Sequence, residues 1–143
     1  MRRQLFFLIF FYCAFGVHSQ NANSPALLNP ADSSRFLYEY SMQYIGSSTH
    51  IDMNYRYVLE YLVELLEKNP TWTVHIRGHV CCGPSERISC KRAKNVYKFL
   101  IRLGVNPLRM SYKGYSDTLP LAFPEKTEED EIMNRRVDFV IHR

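Results

Sequence analysis

Apolar residues along this chain follow two alternating periods, and this alternation constrains the fold more than any other feature. Over residues 36–44, apolar and polar side chains alternate, as in a strand with one buried face. From Asp52 the spacing is that of an amphipathic helix, which Pro70 ends. Strand alternation returns over residues 72–78. Strands that alternate with helices predict a layered domain with helices packed on a sheet.

The second half of the chain repeats this pattern. A helix is predicted from Pro84–Glu86 onwards, with one apolar face and with Gly104 at its end. Strands are predicted over 108–112 and 137–141, joined by a long polar connection over 117–131. The predicted fold is a single α+β or α/β domain of order β-α-β-α-β-β. Its mixed four-stranded sheet would pair the first three strands in parallel, have an antiparallel last strand, and carry both helices on one face.

The N-terminal residues predict export. Arg2 and Arg3 precede an apolar run over residues 5–15 and then small residues, which is typical of a secretory signal peptide over residues 1–19. An uncleaved anchor is the alternative. Residues 20–34 are predicted to be a flexible lead-in, and residues 35–143 the folded domain. Without residues 1–19 the chain has 18 minus 2 basic and 14 acidic residues, a net +2, which is too small to favour a nucleic-acid partner.

Three cysteines follow the predicted signal peptide, and an exported chain meets an oxidising compartment. With Cys81, Cys82 and Cys90, one thiol is free or pairs with another chain, or a vicinal Cys81–Cys82 link leaves Cys90 alone. A disulfide from Cys81 or Cys82 to Cys90 is the favoured interpretation, because it would clip the loop to the helix. A zinc cluster with His79 has no common ligand spacing, so no metal is predicted.

Four short segments occur in the order of a known family: Gly78-His79-Val80-Cys81-Cys82-Gly83, Ile88-Ser89-Cys90-Lys91-Arg92-Ala93, Lys113-Gly114-Tyr115-Ser116 and Asn134-Arg135-Arg136-Val137. In them the chain resembles the OmpA-like domain family of bacterial outer-membrane and periplasmic proteins. The resemblance implies a periplasmic protein, associated with the outer membrane or cell wall, that binds peptidoglycan without breaking a bond. Neither a cofactor nor catalysis is implied.

The resemblance also implies a site. In the family, an acid and an arginine hold the ammonium and carboxylate of diaminopimelate in the stem peptide. Arg92 takes the place of that arginine, whereas Cys81 takes the place of the acid. On β alternation, Arg135 rather than Arg136 is expected to face the ligand. The candidate ligand-binding residues are Arg92, His79, Cys81, Ser89, Asn134 and Arg135.

Loss of the acid leaves alternatives open. Glu86, at the start of the second helix, could replace it. The second hypothesis is a degenerate OmpA-like fold that serves as a protein-interaction module in an outer-membrane or periplasmic assembly. An enzyme is not predicted, because His79 has no catalytic partner at a suitable spacing and Cys81–Cys82 lacks the Cys-x-x-Cys spacing of redox enzymes.

Overall fold

The computed structural model describes residues 40–143. The predicted signal peptide over 1–19, the lead-in over 20–34 and the beginning of the first predicted strand lie outside the described residues. Within residues 40–143, none of the helices has the length and apolar character needed to cross a membrane.

One four-stranded sheet organises the domain. Its strands are β1 (Met42–Gln43), β2 (Thr73–Gly78), β3 (Met110–Gly114) and β4 (Arg136–His142), in the spatial order β1-β4-β2-β3. Strands β2 and β3 are parallel, and β4 is antiparallel to both β1 and β2. Helix α1 (Arg56–Lys68) connects β1 to β2, and α2 (Glu86–Arg102) connects β2 to β3. The predicted mixed sheet with an antiparallel last strand is confirmed.

The predicted parallel pairing of the first three strands is wrong for β1. Strand β4 lies between β1 and β2, so β1 pairs with β4 alone. The burial of β4 explains this position, because residues 136–139 are all buried on both faces of the strand. A strand buried on both faces belongs inside a sheet, whereas a two-residue strand is suited to an edge.

A third helix, α3 (Glu128–Asn134), lies at the end of the segment predicted to be an irregular polar connection. Its beginning is fixed by a capping box, in which Thr127 and Asp130 each accept a hydrogen bond from the other's backbone N–H. Acidic residues fill its first turn and suit the positive end of the helix dipole. The spacing of apolar residues does not predict α3, because acidic residues occupy most of this helix and leave no continuous apolar stripe.

Helices α1 and α2 cover one face of the sheet. They share one core cluster with the inward-facing strand residues, and its central members are Val58, Leu59, Leu62, Leu66, Val74, Ile76, Ala93, Val96, Leu100, Val137 and Phe139. The first turn of α2 lies directly against the sheet, where Gly78 and Gly114 are paired across β2 and β3. A Cβ atom on Gly78 would overlap the Ser89 carbonyl oxygen, and one on Gly114 would overlap the Cys90 backbone. This close contact fixes α2 beside the end of β2.

Candidate functional site

A pocket of about 490 Å³ lies where β2 ends and α2 begins. The carboxyl ends of strands are common ligand positions in sheets with helical crossovers. The loop after β1, the turn after β2, the inner side of α2 and the end of α3 all contribute to its wall. The lining residues are Gly46, Ser47, Val80, Cys81, Cys82, Gly83, Pro84, Ser85, Ile88, Arg92 and Arg135.

Arg92 lies under the floor of this pocket, with no solvent-exposed surface. Its Nε donates to the Ser48 carbonyl at 2.9 Å, Nη1 to that of His79 at 2.7 Å, and Nη2 to that of Gly46 at 2.6 Å. The guanidinium also lies 4.7 Å from the centre of the Tyr44 ring. Burial lowers the pKa of Arg92 to about 10, so the side chain stays charged at neutral pH. Arg92 therefore ties the loop after β1 to the end of β2 and places a fixed positive charge below the pocket.

Arg135 contributes the other positive charge. It follows α3, and its Nη1 donates to Glu131 Oε2 at 2.8 Å and to Cys81 Sγ at 3.2 Å. Its side chain is 13% exposed, and its Nε is buried without a hydrogen-bond partner among the described residues. Its Nη2 donates no hydrogen bond to a described residue, so the guanidinium retains donor capacity at the pocket. Glu131 is not among the residues predicted from sequence, although its Glu-x-x-x-Arg spacing to Arg135 is a signal for a helical ion pair.

Cys81 and Cys82 form one wall of the pocket, with their sulfur atoms within bonding distance as a vicinal disulfide. Cys82 has a left-handed backbone, with φ of 62°, and its N–H donates to Glu125 Oε2 at 3.0 Å. Cys90 is exposed and free, so the predicted link from Cys81 or Cys82 to Cys90 is wrong. Ile88 and Arg92 line the pocket, and Cys90 lies about half a helical turn from each of them, on another side of α2.

Ser89 and Asn134 lie outside the pocket lining and hold the surrounding segments in place. Ser89 Oγ accepts a hydrogen bond from the Ser116 N–H at 3.1 Å. The side chain of Asn134 accepts from the Leu121 N–H at 2.7 Å and donates to Glu125 Oε1 at 2.6 Å. Both residues are fully buried. Ser89 and Asn134 therefore support the pocket by holding the segments around it, although neither side chain lines it.

His79 also lies outside the pocket lining, within a buried charged cluster that includes Arg77, Arg136 and Asp138. Asp138 accepts from Arg77 Nε at 2.6 Å and from Arg136 Nε at 3.0 Å, and His79 Nε2 lies 3.3 Å from its Oδ2. Burial alone would raise the pKa of Asp138, but contacts with His79 and the two arginines lower this pKa to about 2. Burial also lowers the pKa of His79, which favours the neutral ring.

The candidate residues are thus divided between two regions. Cys81, Arg92 and Arg135 are brought together at the pocket, whereas His79, Ser89 and Asn134 are not. Arg136 belongs to the buried cluster, so only the first arginine of the Asn-Arg-Arg motif lines the pocket. The alternative acid Glu86 is exposed and does not line the pocket either.

Two curated proteins are similar in sequence. Outer membrane porin F of Pseudomonas fluorescens is 32% identical over 81 residues, which are 54% of this chain and 24% of porin F. Motility protein B of Helicobacter pylori is 28% identical over 102 residues, which are 65% of this chain and 39% of that protein. The chain therefore spans well under half the length of either relative. No family model matches the chain.

Solved structures show the same fold. The C-terminal domain of Helicobacter pylori MotB matches with a TM-score of 0.67 at 25% identity, over 72% of this chain and 84% of that one. The peptidoglycan-associated lipoprotein from Burkholderia pseudomallei matches with a TM-score of 0.66 at 24% identity, over 71% and 89%. The cell wall anchor of the type VI secretion system from Pseudomonas aeruginosa has a TM-score of 0.61 at 22% identity, over 72% and 80%. The fold is therefore that of the OmpA-like domains of envelope proteins.

Proposed function

We propose that this chain is a non-catalytic OmpA-like domain of the bacterial envelope, exported to the periplasm, that binds peptidoglycan through its stem peptide. The similar proteins include a peptidoglycan-associated lipoprotein and a cell wall anchor, which supports this kind of partner. The observation that carries the proposal is the pocket after β2, because its lining includes two arginines and no acidic residue.

Arg135 is the group best placed to hold a stem-peptide carboxylate. Its Nη2 donates to no described residue and is not a buried atom, so it can form a charge-assisted hydrogen bond without giving up another contact. Arg92 acts differently, since backbone carbonyl groups occupy three of its five N–H donors. Its role is to fix the pocket floor and to add positive potential beneath the bound carboxylate.

Retention on purified peptidoglycan sacculi tests this proposal. The full chain should co-sediment with sacculi, and Arg135→Ala should weaken its apparent affinity by about tenfold to a hundredfold, as expected for loss of one charge-assisted contact. Arg87→Ala is the matched control, because Arg87 is an exposed arginine on α2 outside the pocket lining. Equal retention of Arg135→Ala and the wild-type chain would contradict the proposed site. Arg92→Ala is a poor probe because it also removes buried contacts that hold the fold.

A second candidate is a protein-interaction module of an envelope assembly. Exposed apolar side chains in the segment before β4 favour it, and they are Leu119, Leu121, Phe123 and Ile132. Phe123 has the largest exposed fraction of these, at 85%. If the wild-type chain is folded but shows no retention on sacculi, this second function becomes the better explanation of the fold.

A further inference from the structure

A carboxylate lies beside the position at which the sequence motif lacks one. A carboxylate oxygen of Glu131 and the sulfur atoms of Cys81 and Cys82 all lie within 4.8 Å of one another. Arg135 Nη1 contacts both Glu131 Oε2 and Cys81 Sγ, at 2.8 and 3.2 Å. Acid, guanidinium and disulfide therefore form one cluster at the edge of the pocket. The acid comes from α3, far from Cys81 in sequence.

The surrounding contacts hold this cluster in a fixed geometry. Glu131 and Arg135 are one helical turn apart, so both depend on the placement of α3. Between them, the fully buried Asn134 is hydrogen-bonded to the segment before the helix. Glu125 in that segment accepts hydrogen bonds from both Asn134 and the Cys82 N–H. A receptor that is ordered before binding loses less conformational entropy when the ligand arrives.

The Glu131–Arg135 ion pair retains both a free hydrogen-bond donor and a free acceptor. Arg135 Nη2 donates no hydrogen bond, and Glu131 Oε1 accepts none, within the part of the chain that the structure describes. The Glu131 side chain is 41% exposed, so a ligand can reach it from solvent. An amino-acid centre bears an ammonium and a carboxylate on one carbon, and such a dipole is complementary to adjacent groups of opposite charge.

We propose that Glu131 supplies the carboxylate that position 81 lacks, and that it recognises an ammonium group next to the carboxylate held by Arg135. The ligand class is therefore a zwitterionic amino-acid centre rather than a simple carboxylate. This inference rests on the proposed function, because it assigns a further residue to the same site. The disulfide provides an uncharged wall between the pair and the rest of the pocket.

Sacculi in two chemical forms test this assignment with the full chain. Acetic anhydride converts free amino groups of the stem peptide to neutral acetamides and leaves the carboxylates intact. The wild-type chain should bind N-acetylated sacculi about tenfold more weakly than native sacculi. Glu131→Gln should bind both forms with more similar affinity, because a neutral amide lacks the negative charge that attracts an ammonium group. Glu131→Asp keeps the charge and should retain part of the preference for native sacculi.

Glu128→Gln is the matched control, since Glu128 is an exposed acid of α3 that makes no contact with Arg135 among the described contacts. It should discriminate between the two forms as the wild-type chain does. Equal binding of the wild-type chain to both forms would overturn the role of Glu131 but leave peptidoglycan binding intact. Equal effects of Glu128→Gln and Glu131→Gln would also overturn it, because they would indicate a general charge effect. Failure to bind either form would instead contradict the proposed function.

Discussion

Two clusters of charged side chains lie near the start of β4 in the described residues 40–143, and they differ in how completely their groups are paired. In the buried cluster, Asp138 is 1% exposed as a side chain and contacts Arg77 and Arg136. In the pocket cluster, Glu131 is 41% exposed and Arg135 has a donor without a partner. A closed cluster stabilises one conformation, whereas an open one can bind a ligand. Motif residues alone do not distinguish these roles, because Arg135 and Arg136 are adjacent.

The largest expected effect is the loss of stability when the buried cluster loses its carboxylate. Asp138→Asn leaves Arg77 and the buried Arg136 short of an anionic partner, which should lower the free energy of unfolding by about 3 to 5 kcal/mol. Urea denaturation followed by circular dichroism measures this quantity. Glu131→Gln is the comparison, and its solvent-screened ion pair should cost under about 1 kcal/mol. Similar losses for the two variants would show that the clusters do not differ as described.

Acid should weaken the buried cluster in a defined order. The pKa of His79 is lowered by burial, so the folded state favours the neutral ring, and its contribution to stability declines as pH falls below its ordinary value of 6.5. The pKa of Asp138 is lowered from 3.8 to about 2, so its contribution is complete above 3.8 and is lost as pH falls towards 2. That loss is about 2 kcal/mol by linkage.

The free energy of unfolding measured from pH 8 to pH 2 should therefore show both losses. His79→Gln should reduce the dependence near neutral pH, to which His75 also contributes because burial lowers its pKa too. Asp138→Asn should reduce the dependence at low pH, where Asp130 also contributes because hydrogen bonds from the Lys126 and Thr127 N–H groups lower its pKa. If the free energy of unfolding of Asp138→Asn falls below pH 4 as steeply as that of the wild-type chain, the low pKa does not belong to this carboxyl.

Sequence patterns predicted most elements of this fold, because local periodicity reports which face of a helix or strand is buried. Strand alternation does not account for the different positions of Arg135 and Arg136, because Arg135 follows α3 and precedes β4. The position of β4 between β1 and β2 was not predictable in this way, since it depends on which strand buries both faces in the assembled sheet. The closeness of Glu131 to Cys81 was missed for a related reason. It depends on α3, a helix identified by its capping box and not by an apolar stripe.

The smallest expected effect on stability concerns the Cys81–Cys82 bond. In the unreduced chain we expect alkylation at Cys90 and not at Cys81 or Cys82, measured by peptide mass spectrometry. A bond between adjacent residues restricts little of the unfolded chain, so replacing both cysteines by serine should change the free energy of unfolding by under about 1 kcal/mol. The same double variant should bind sacculi several-fold more weakly, because Cys81 Sγ no longer fixes Arg135.

Cys90→Ser is the control for the double variant and should change neither quantity. Unreduced chains alkylated at Cys81 or Cys82 would show that the two residues are not joined. If the double variant loses as much stability as Asp138→Asn, the pocket cluster also stabilises the fold, and the contrast between a closed cluster and an open one fails. The opposite result, with weaker binding at nearly unchanged stability, would separate the two clusters by function, since only the open cluster would be required for the ligand.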